Sequence, residues 1–189
     1  MAGPVVVKVG GSLYDLHDLG TRLRGWLTQY SVLGTPVLLV PGGGLTADAI
    51  RRLDQTHRLG EERAHWLALH ALALNAHFLA ALLPDAVVAE AATEGIAILD
   101  AFAFARTDEE RPGWLPHRWA VTSDSLAARV ADVLGARLLI LLKSVTIPEG
   151  MHWSEAGRAG FVDRYFAEVL SRRRTPFEVR AVNLGEWRP

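Results

Sequence analysis

Two lysines stand out because the chain otherwise avoids them. Of its 189 residues 20 are Lys or Arg, and only Lys8 and Lys143 are lysine; every other basic position is arginine. Lysine offers a compact ammonium on a flexible stem, whereas arginine offers a broad planar fork. Lys8 and Lys143 stand at or near the carboxyl ends of two apolar runs, Val5 to Val9 and Arg137 to Leu142. A site that follows a phosphoryl group in transit needs the compact charge; chance placement is the plain alternative.

Beside Lys8 runs Gly10-Gly11-Ser12. A glycine pair lets backbone amides approach an anion, and a following helix start adds a positive field. A strand followed by Gly-Gly is also an ordinary turn, and the spacing is not that of a Walker loop. A second loop, Pro41-Gly42-Gly43-Gly44, again follows an apolar run. Three successive glycines cost backbone entropy. A tight turn accounts for one or two of them, and close approach to a ligand would account for the third. Thr122-Ser123-Asp124-Ser125 reads as a helix start. There Thr122 or Ser123 can cap, and the dipole favours the Asp124 carboxylate in the first turn. His65, His70 and His77 share a long helix without i, i+4 spacing, so they read as packed or exposed residues rather than metal ligands. No metal-ligating set is expected, and with no cysteine no thiolate site is possible.

The elements that must position these residues alternate. Apolar runs bounded by turn residues predict buried strands at Val5–Val9, Pro36–Val40 and Arg137–Leu142. Shorter strands are expected at Ala86–Ala89 and Ile96–Leu99, and the last strand at Phe177–Asn183. Helical spacing links Leu16, Leu19, Leu23, Trp26 and Leu27, then Ala47, Ile50, Arg51 and Asp54. Further helices are expected over Glu61–Leu83, Ser125–Leu134 and Asp163–Arg172, with a polar loop over Thr107–Arg118. Strand–helix alternation implies a mostly parallel sheet covered on both faces. Ligands of such sheets bind beyond the carboxyl ends of the strands, where both glycine loops fall.

Half the residues are hydrophobic, 22% are charged, and the formal net charge is −1. This suits one globular domain over residues 1–189 and gives no support to nucleic-acid binding. The run Arg172-Arg173-Arg174 reads as a solvated helix end. The apolar stretch Trp66–Leu83 is interrupted by His70, Asn75 and His77 and reads as a buried helix, not a membrane span. Met1-Ala2-Gly3-Pro4 has no basic lead, so a cytoplasmic location is expected.

Taken together, the Lys8–Ser12 loop, the Pro41–Gly44 loop and the Thr122–Ala128 segment resemble the amino-acid-kinase superfamily in order and strand context. A narrower resemblance is to small [5-(aminomethyl)furan-3-yl]methyl phosphate kinases. It rests on Gly42-Gly43-Gly44 with Ala47-Asp48, Ile50-Arg51 and Asp54. Trp119 to Leu126, Val162-Asp163 with Phe166, and Ala181-Val182-Asn183 also carry it. The resemblance implies a three-layer α/β/α sandwich and ATP-dependent transfer, with Mg2+ arriving on the nucleotide, to a small phosphorylated acceptor. It also implies a homo-oligomer. Lys8, Asp124 and Lys143 would be catalytic, with Asp124 orienting the two lysines. Gly10, Gly11, Ser12, Lys143 and Ser144 would meet the nucleotide; Gly42, Gly43, Gly44, Asp48, Thr122 and Ser123 would meet the acceptor. A carboxylate acceptor is one alternative. A non-catalytic phosphate-binding relative is another. It is favoured by Lys143–Gly150, which stands where members usually carry a Thr-Asp-Val-Asp-Gly-like nucleotide segment.

Overall fold

The computed structural model of the chain describes residues 3–31 and 34–188. Met1 and Ala2, part of the Met1–Pro4 start read above, lie outside the described residues. Six strands form: β1 (Val5–Val9), β2 (Val37–Pro41), β3 (Val87–Ala89), β4 (Ile96–Leu99), β5 (Leu138–Lys143) and β6 (Glu178–Asn183). They make one sheet in the order β3-β4-β2-β1-β5-β6. Every pairing is parallel, so the expected mostly parallel sheet is parallel throughout the described residues.

Burial on both faces explains the unbroken apolar runs of β1, β2 and β5, which have no exposed residue. Alternation along each strand still sorts the side chains. Val5, Val7 and Val9 pack with Leu39, Ile140 and Leu142 beneath α1 (Leu19–Ser31), which supplies Leu23, Trp26 and Leu27. Val6 packs with Leu38, Leu139 and Leu141 on the opposite face, beneath α5 (Ser123–Val133) and α7 (Phe166–Arg172). The α3 helix (Glu61–Leu82) serves both layers, giving Leu69 and Leu72 to one and Ala76 and Leu79 to the other. Each layer is one contiguous apolar cluster, and the sheet lies between them.

Several boundaries differ from expectation for identifiable reasons. The segment read as a loop from Thr107 begins inside α4 (Ala101–Asp108). That helix is started by Asp100, whose carboxylate accepts the amides of Phe102 and Ala103. A 3₁₀ turn over Gly11–Asp15 and α6 (Trp153–Arg158) carry too few residues for periodicity to show. The last helix starts at Phe166 rather than Asp163, because Asp163 is engaged elsewhere. The α3 helix is not wholly buried: Leu67, Leu74 and Phe78 are exposed, as are Leu45 and Leu53 of α2 (Gly44–His57).

Strand order places the site. From β1 the chain moves by way of α1 to β2 on one side, while β5 and β6 lie on the other. The direction of winding therefore reverses between β1 and β5, and the crevice beyond their carboxyl ends is the topological switch point.

Candidate active site

Lys8 and Lys143 flank that switch point. In the β1–β5 register Lys8 lies opposite Leu141. It shares the parity of Val6, and Lys143 that of Leu139 and Leu141, so both ammonium groups leave the sheet on the α5 face. The first turn of α5 brings Asp124 between them. Lys8 Nζ is 3.0 Å from Asp124 Oδ1. Lys143 Nζ donates to Oδ1 at 2.8 Å and to Oδ2 at 2.9 Å. All three are buried, at 5%, 4% and 8% exposure for Lys8, Asp124 and Lys143.

Burying an ion costs several kcal/mol unless charge and hydrogen bonds answer it. Here one carboxylate answers two ammonium groups, which leaves a surplus of one positive charge. Burial alone would raise the Asp124 carboxyl, but Lys8 and Lys143 together hold it below the usual carboxylate range. Burial and then repulsion from Lys8 push the Lys143 ammonium down to about 8, against the pull of Asp124. The arrangement is a preorganised positive centre with one carboxylate spacing its two arms.

The glycine loops close over this centre. Gly10 N–H donates to Leu142 O at 2.9 Å, so its amide extends the sheet and is not free for a phosphate as expected. The amides of Gly11 and Ser12 lie ahead of the first internal bond of the 3₁₀ turn, from Leu13 N–H to Gly10 O. Ser12 Oγ meets Ser144 Oγ at 2.8 Å, joining the loops after β1 and β5. The triple glycine has a reason internal to the fold. A Cβ on Gly11 would sit 2.3 Å from Gly44 N, and Gly44 itself has φ +52, so the two loops pack backbone on backbone. Gly42 is fully engaged: its N–H donates to Tyr14 Oη, its carbonyl accepts from Tyr14 Oη, and it also accepts from Asn75 Nδ2. Burial raises the Tyr14 phenol, which keeps it neutral in this role.

A cavity of about 310 Å³ opens at Ser12 and at Ser123, the chain neighbour of Asp124, while Lys8, Asp124 and Lys143 are not among its lining residues. Ser12, Gly43, Gly44, Asp48, Thr122 and Ser123 line one side of it, so five of the six expected acceptor residues come together and Gly42 does not. Its floor is apolar, with Leu69, Leu72, Phe104 and Leu126. Its rim comes from the segment before α5, which is strapped to α2 and α3. Trp119 Nε1–H donates to Asp54 Oδ2 at 2.7 Å, beneath the Arg51 guanidinium 4.8 Å from the Trp119 ring. His117 sits between Glu62 and Glu109 at 2.9 and 3.2 Å and stacks on His65. Burial, reinforced by His117, pushes the His65 imidazole down to about 4. His70 stacks on Phe102. Among the described residues no cluster of three or more His, Asp or Glu could hold a metal.

Sequence reasoning missed Tyr14 and Asn75. Each acts on a loop 28 to 33 positions away, and only the polar break of Asn75 in an apolar helix signalled it. It also missed the buried Asp108–Arg129 pair, joined by two hydrogen bonds of 2.8 and 2.9 Å, with Asp108 itself in the cavity lining.

A parallel α/β sheet with amides and surplus positive charge at its switch point suits a phosphate-bearing ligand. Residues 3–146 match the model of the Amino acid kinase family, and the chain belongs to that family. It is 29% identical over 150 residues to the [5-(aminomethyl)furan-3-yl]methyl phosphate kinase of Methanocaldococcus jannaschii. That match covers 74% of this chain and 65% of the relative, so it spans just under two thirds of the longer protein. Two solved structures share the fold. Uridylate kinase from Archaeoglobus fulgidus aligns with a TM-score of 0.62 at 16% identity, over 96% of this chain and 92% of that one. UMP kinase from Bacillus anthracis aligns at 0.64 and 13%, over 97% and 88%.

Proposed function

We propose that this chain transfers the γ-phosphoryl group of ATP to a small phosphorylated acceptor, giving a diphosphate. The acceptor class is that of [5-(aminomethyl)furan-3-yl]methyl phosphate or a relative. The observation that carries the reading is the buried Lys8–Asp124–Lys143 cluster at the switch point, beside a cavity floored by apolar side chains. Phosphoryl transfer asks a protein mainly for position and for positive charge where negative charge develops. An acceptor phosphate oxygen would attack the γ-phosphorus. The new P–O bond forms as the bond to the β–γ bridging oxygen breaks, and ADP leaves. A phosphate monoester has a second pKa of about 6, so it is already ionised at neutral pH and needs no general base.

Lys8 would balance charge on the group in transit and Lys143 would face the donor phosphates, with Gly11 and Ser12 amides beside them. Asp124 would space the lysines without taking a proton. Magnesium would arrive on the nucleotide and screen its phosphates. The compartment implied is the cytoplasm. The exposed Leu45, Leu53, Leu67, Leu74 and Phe78 of α2 and α3 support association of this chain with itself, which light scattering would test.

An acceptor panel tests the chemistry. With ATP and magnesium, the phosphorylated aminomethylfuran should yield ADP and a diphosphate. An acyl phosphate trapped as a hydroxamate would instead assign a carboxylate acceptor. Ligand-stabilised melting without turnover on any acceptor would assign a binding role, the reading that the Lys143–Gly150 segment favours.

A further inference from the structure

Asp163 lies in the short connection between α6 and α7 and touches neither the cavity nor a lysine by hydrogen bond. Yet its carboxylate gathers five donors. Oδ2 accepts from Thr122 N at 3.0 Å, Thr122 Oγ1 at 2.9 Å and Ser125 N at 2.8 Å. Oδ1 accepts from Ser125 Oγ at 2.5 Å and from Tyr165 N at 3.1 Å. Thr122 stands at the cap position of α5 but makes no side-chain cap of its own. Two amides of that helix start, those of Thr122 and Ser125, are instead satisfied from a segment 38 to 41 positions away. Asp163 N–H also donates directly to Asp124 Oδ2 at 3.3 Å. Val162 beside it is buried and belongs to the core cluster under α5, which fixes the connection to the sheet face.

We infer that Asp163 is a positioning residue for phosphoryl transfer: it sets the start of α5 with its carboxylate and the orientation of Asp124 with its amide. Through Asp124 it fixes the separation of Lys8 and Lys143. The inference rests on the proposed function, but its geometry stands apart from any acceptor. The charge on Asp163 is answered chiefly by helix-start amides, which favour a carboxylate. It also lies near enough to favour the charged form of Lys143. In Asp163→Asn one oxygen becomes an NH2 group, which meets backbone N–H on either side, Tyr165 on one and Thr122 and Ser125 on the other; hydroxyls can turn to accept it but amide N–H groups cannot. With the charge gone as well, the cradle loosens at the helix start, and Asp124 with it.

The presence of only two lysines makes a direct test possible. Full-length protein labelled at lysine Cε gives two carbon signals, one for each arm of the site. Asp163→Asn should lower kcat by about tenfold or more, since misplacements near 1 Å can cost on the order of a hundredfold. The acceptor KM should stay within roughly twofold, as expected when ground-state binding is untouched. The Lys143 signal should titrate at lower pH than in wild type. A variant that merely loses melting temperature, with kcat and both lysine signals unchanged, overturns the inference and leaves the kinase reading intact. If Asp163→Asn does not fold, Ser125→Ala decides. It removes one donor while leaving the carboxylate, and should lower kcat about threefold at unchanged acceptor KM; wild-type kcat overturns the inference. If wild type transfers no phosphoryl group, the kinase reading fails. The two lysine signals of Ser125→Ala, which keeps the Asp163 charge, then decide alone: a shift of either supports the positioning role, and both unmoved overturn it.

Discussion

The two lysines and the aspartate make opposite demands on stability, and this separates their variants. Lys8→Ala leaves Asp124 and Lys143 as a balanced buried pair, so the fold should persist while turnover falls ~100- to 1000-fold, as when one preorganised donor is lost. Lys8→Arg should also turn over poorly, because a planar fork cannot replace a point charge at the same place. With Lys8 removed its repulsion is gone, and Lys143 should titrate above the wild-type value of about 8. Asp124→Asn does the reverse. It leaves two buried ammonium groups facing each other, and removing one partner of a buried pair costs roughly 3–5 kcal/mol. Inorganic phosphate should restore part of that loss, and urea denaturation with and without phosphate would measure it. Turnover that needs the charged form of Lys143 should decline as pH rises through about 8, with one proton lost. A profile flat from pH 7 to 9 would remove Lys143 from the reaction.

The two glycine loops work because neither has a side chain where they meet. Gly11→Ala would press a Cβ within 2.3 Å of Gly44 N, backbone against backbone. The loops should part at a cost of about 1–3 kcal/mol, read as a lower urea midpoint, with a higher acceptor KM because Gly43 and Gly44 line the cavity. Asn75→Leu should act on the same KM from the other side, since Asn75 Nδ2 holds Gly42 O at 2.7 Å and Gly43 O at 2.8 Å. Elements of this kind were legible to different degrees. The bounds of β1 and β4 could be read directly, because β-branched and apolar runs ended at glycine or a charged residue. The lysines could be read because the composition isolates them, and their shared face follows from strand parity once the register is known. What could not be read is held by distant partners. The start of α5 depends on Asp163 rather than on its own cap, and the triple glycine owes part of its existence to Gly11 rather than to a ligand. Short helices such as α6 lack the turns that would reveal a period. The Asp100 cap of α4, by contrast, was present in the sequence but went unread, because the Ala101–Ala105 run after it alternates Ala and Phe and shows no helical period.

Across the whole molecule, the pH dependence of stability should reveal how the cavity rim is tied to α3. At the alkaline end Lys143 has a folded pKa of about 8 against an ordinary 10.5. The unfolded chain then binds the extra proton between those values, so this group makes stability rise with pH across that window. At the acid end His65 governs. Burial, and next the nearby His117, bring it from 6.5 to about 4, with Glu62 opposing. Between those values the unfolded state holds a proton that the folded state refuses, so stability falls as pH drops from 6.5 toward 4. A shift of this size corresponds to at most about 3 kcal/mol at 1.36 kcal/mol per unit. The Asp124 carboxyl, held below its ordinary 3.8, contributes its loss only beneath this range, so the two do not overlap. His65→Phe keeps a flat ring against His117 and cannot charge. Urea denaturation at pH 7 and pH 4.5 should therefore show a steep loss in wild type and less than half of it in His65→Phe. Because His65 lines the cavity and stacks on the residue that clasps Glu62 and Glu109, its protonation should also open the rim. Acceptor KM should rise in wild type over the same pH interval and stay level in the variant. Equal acid sensitivity of both proteins would mean that His65 does not set the acid limit.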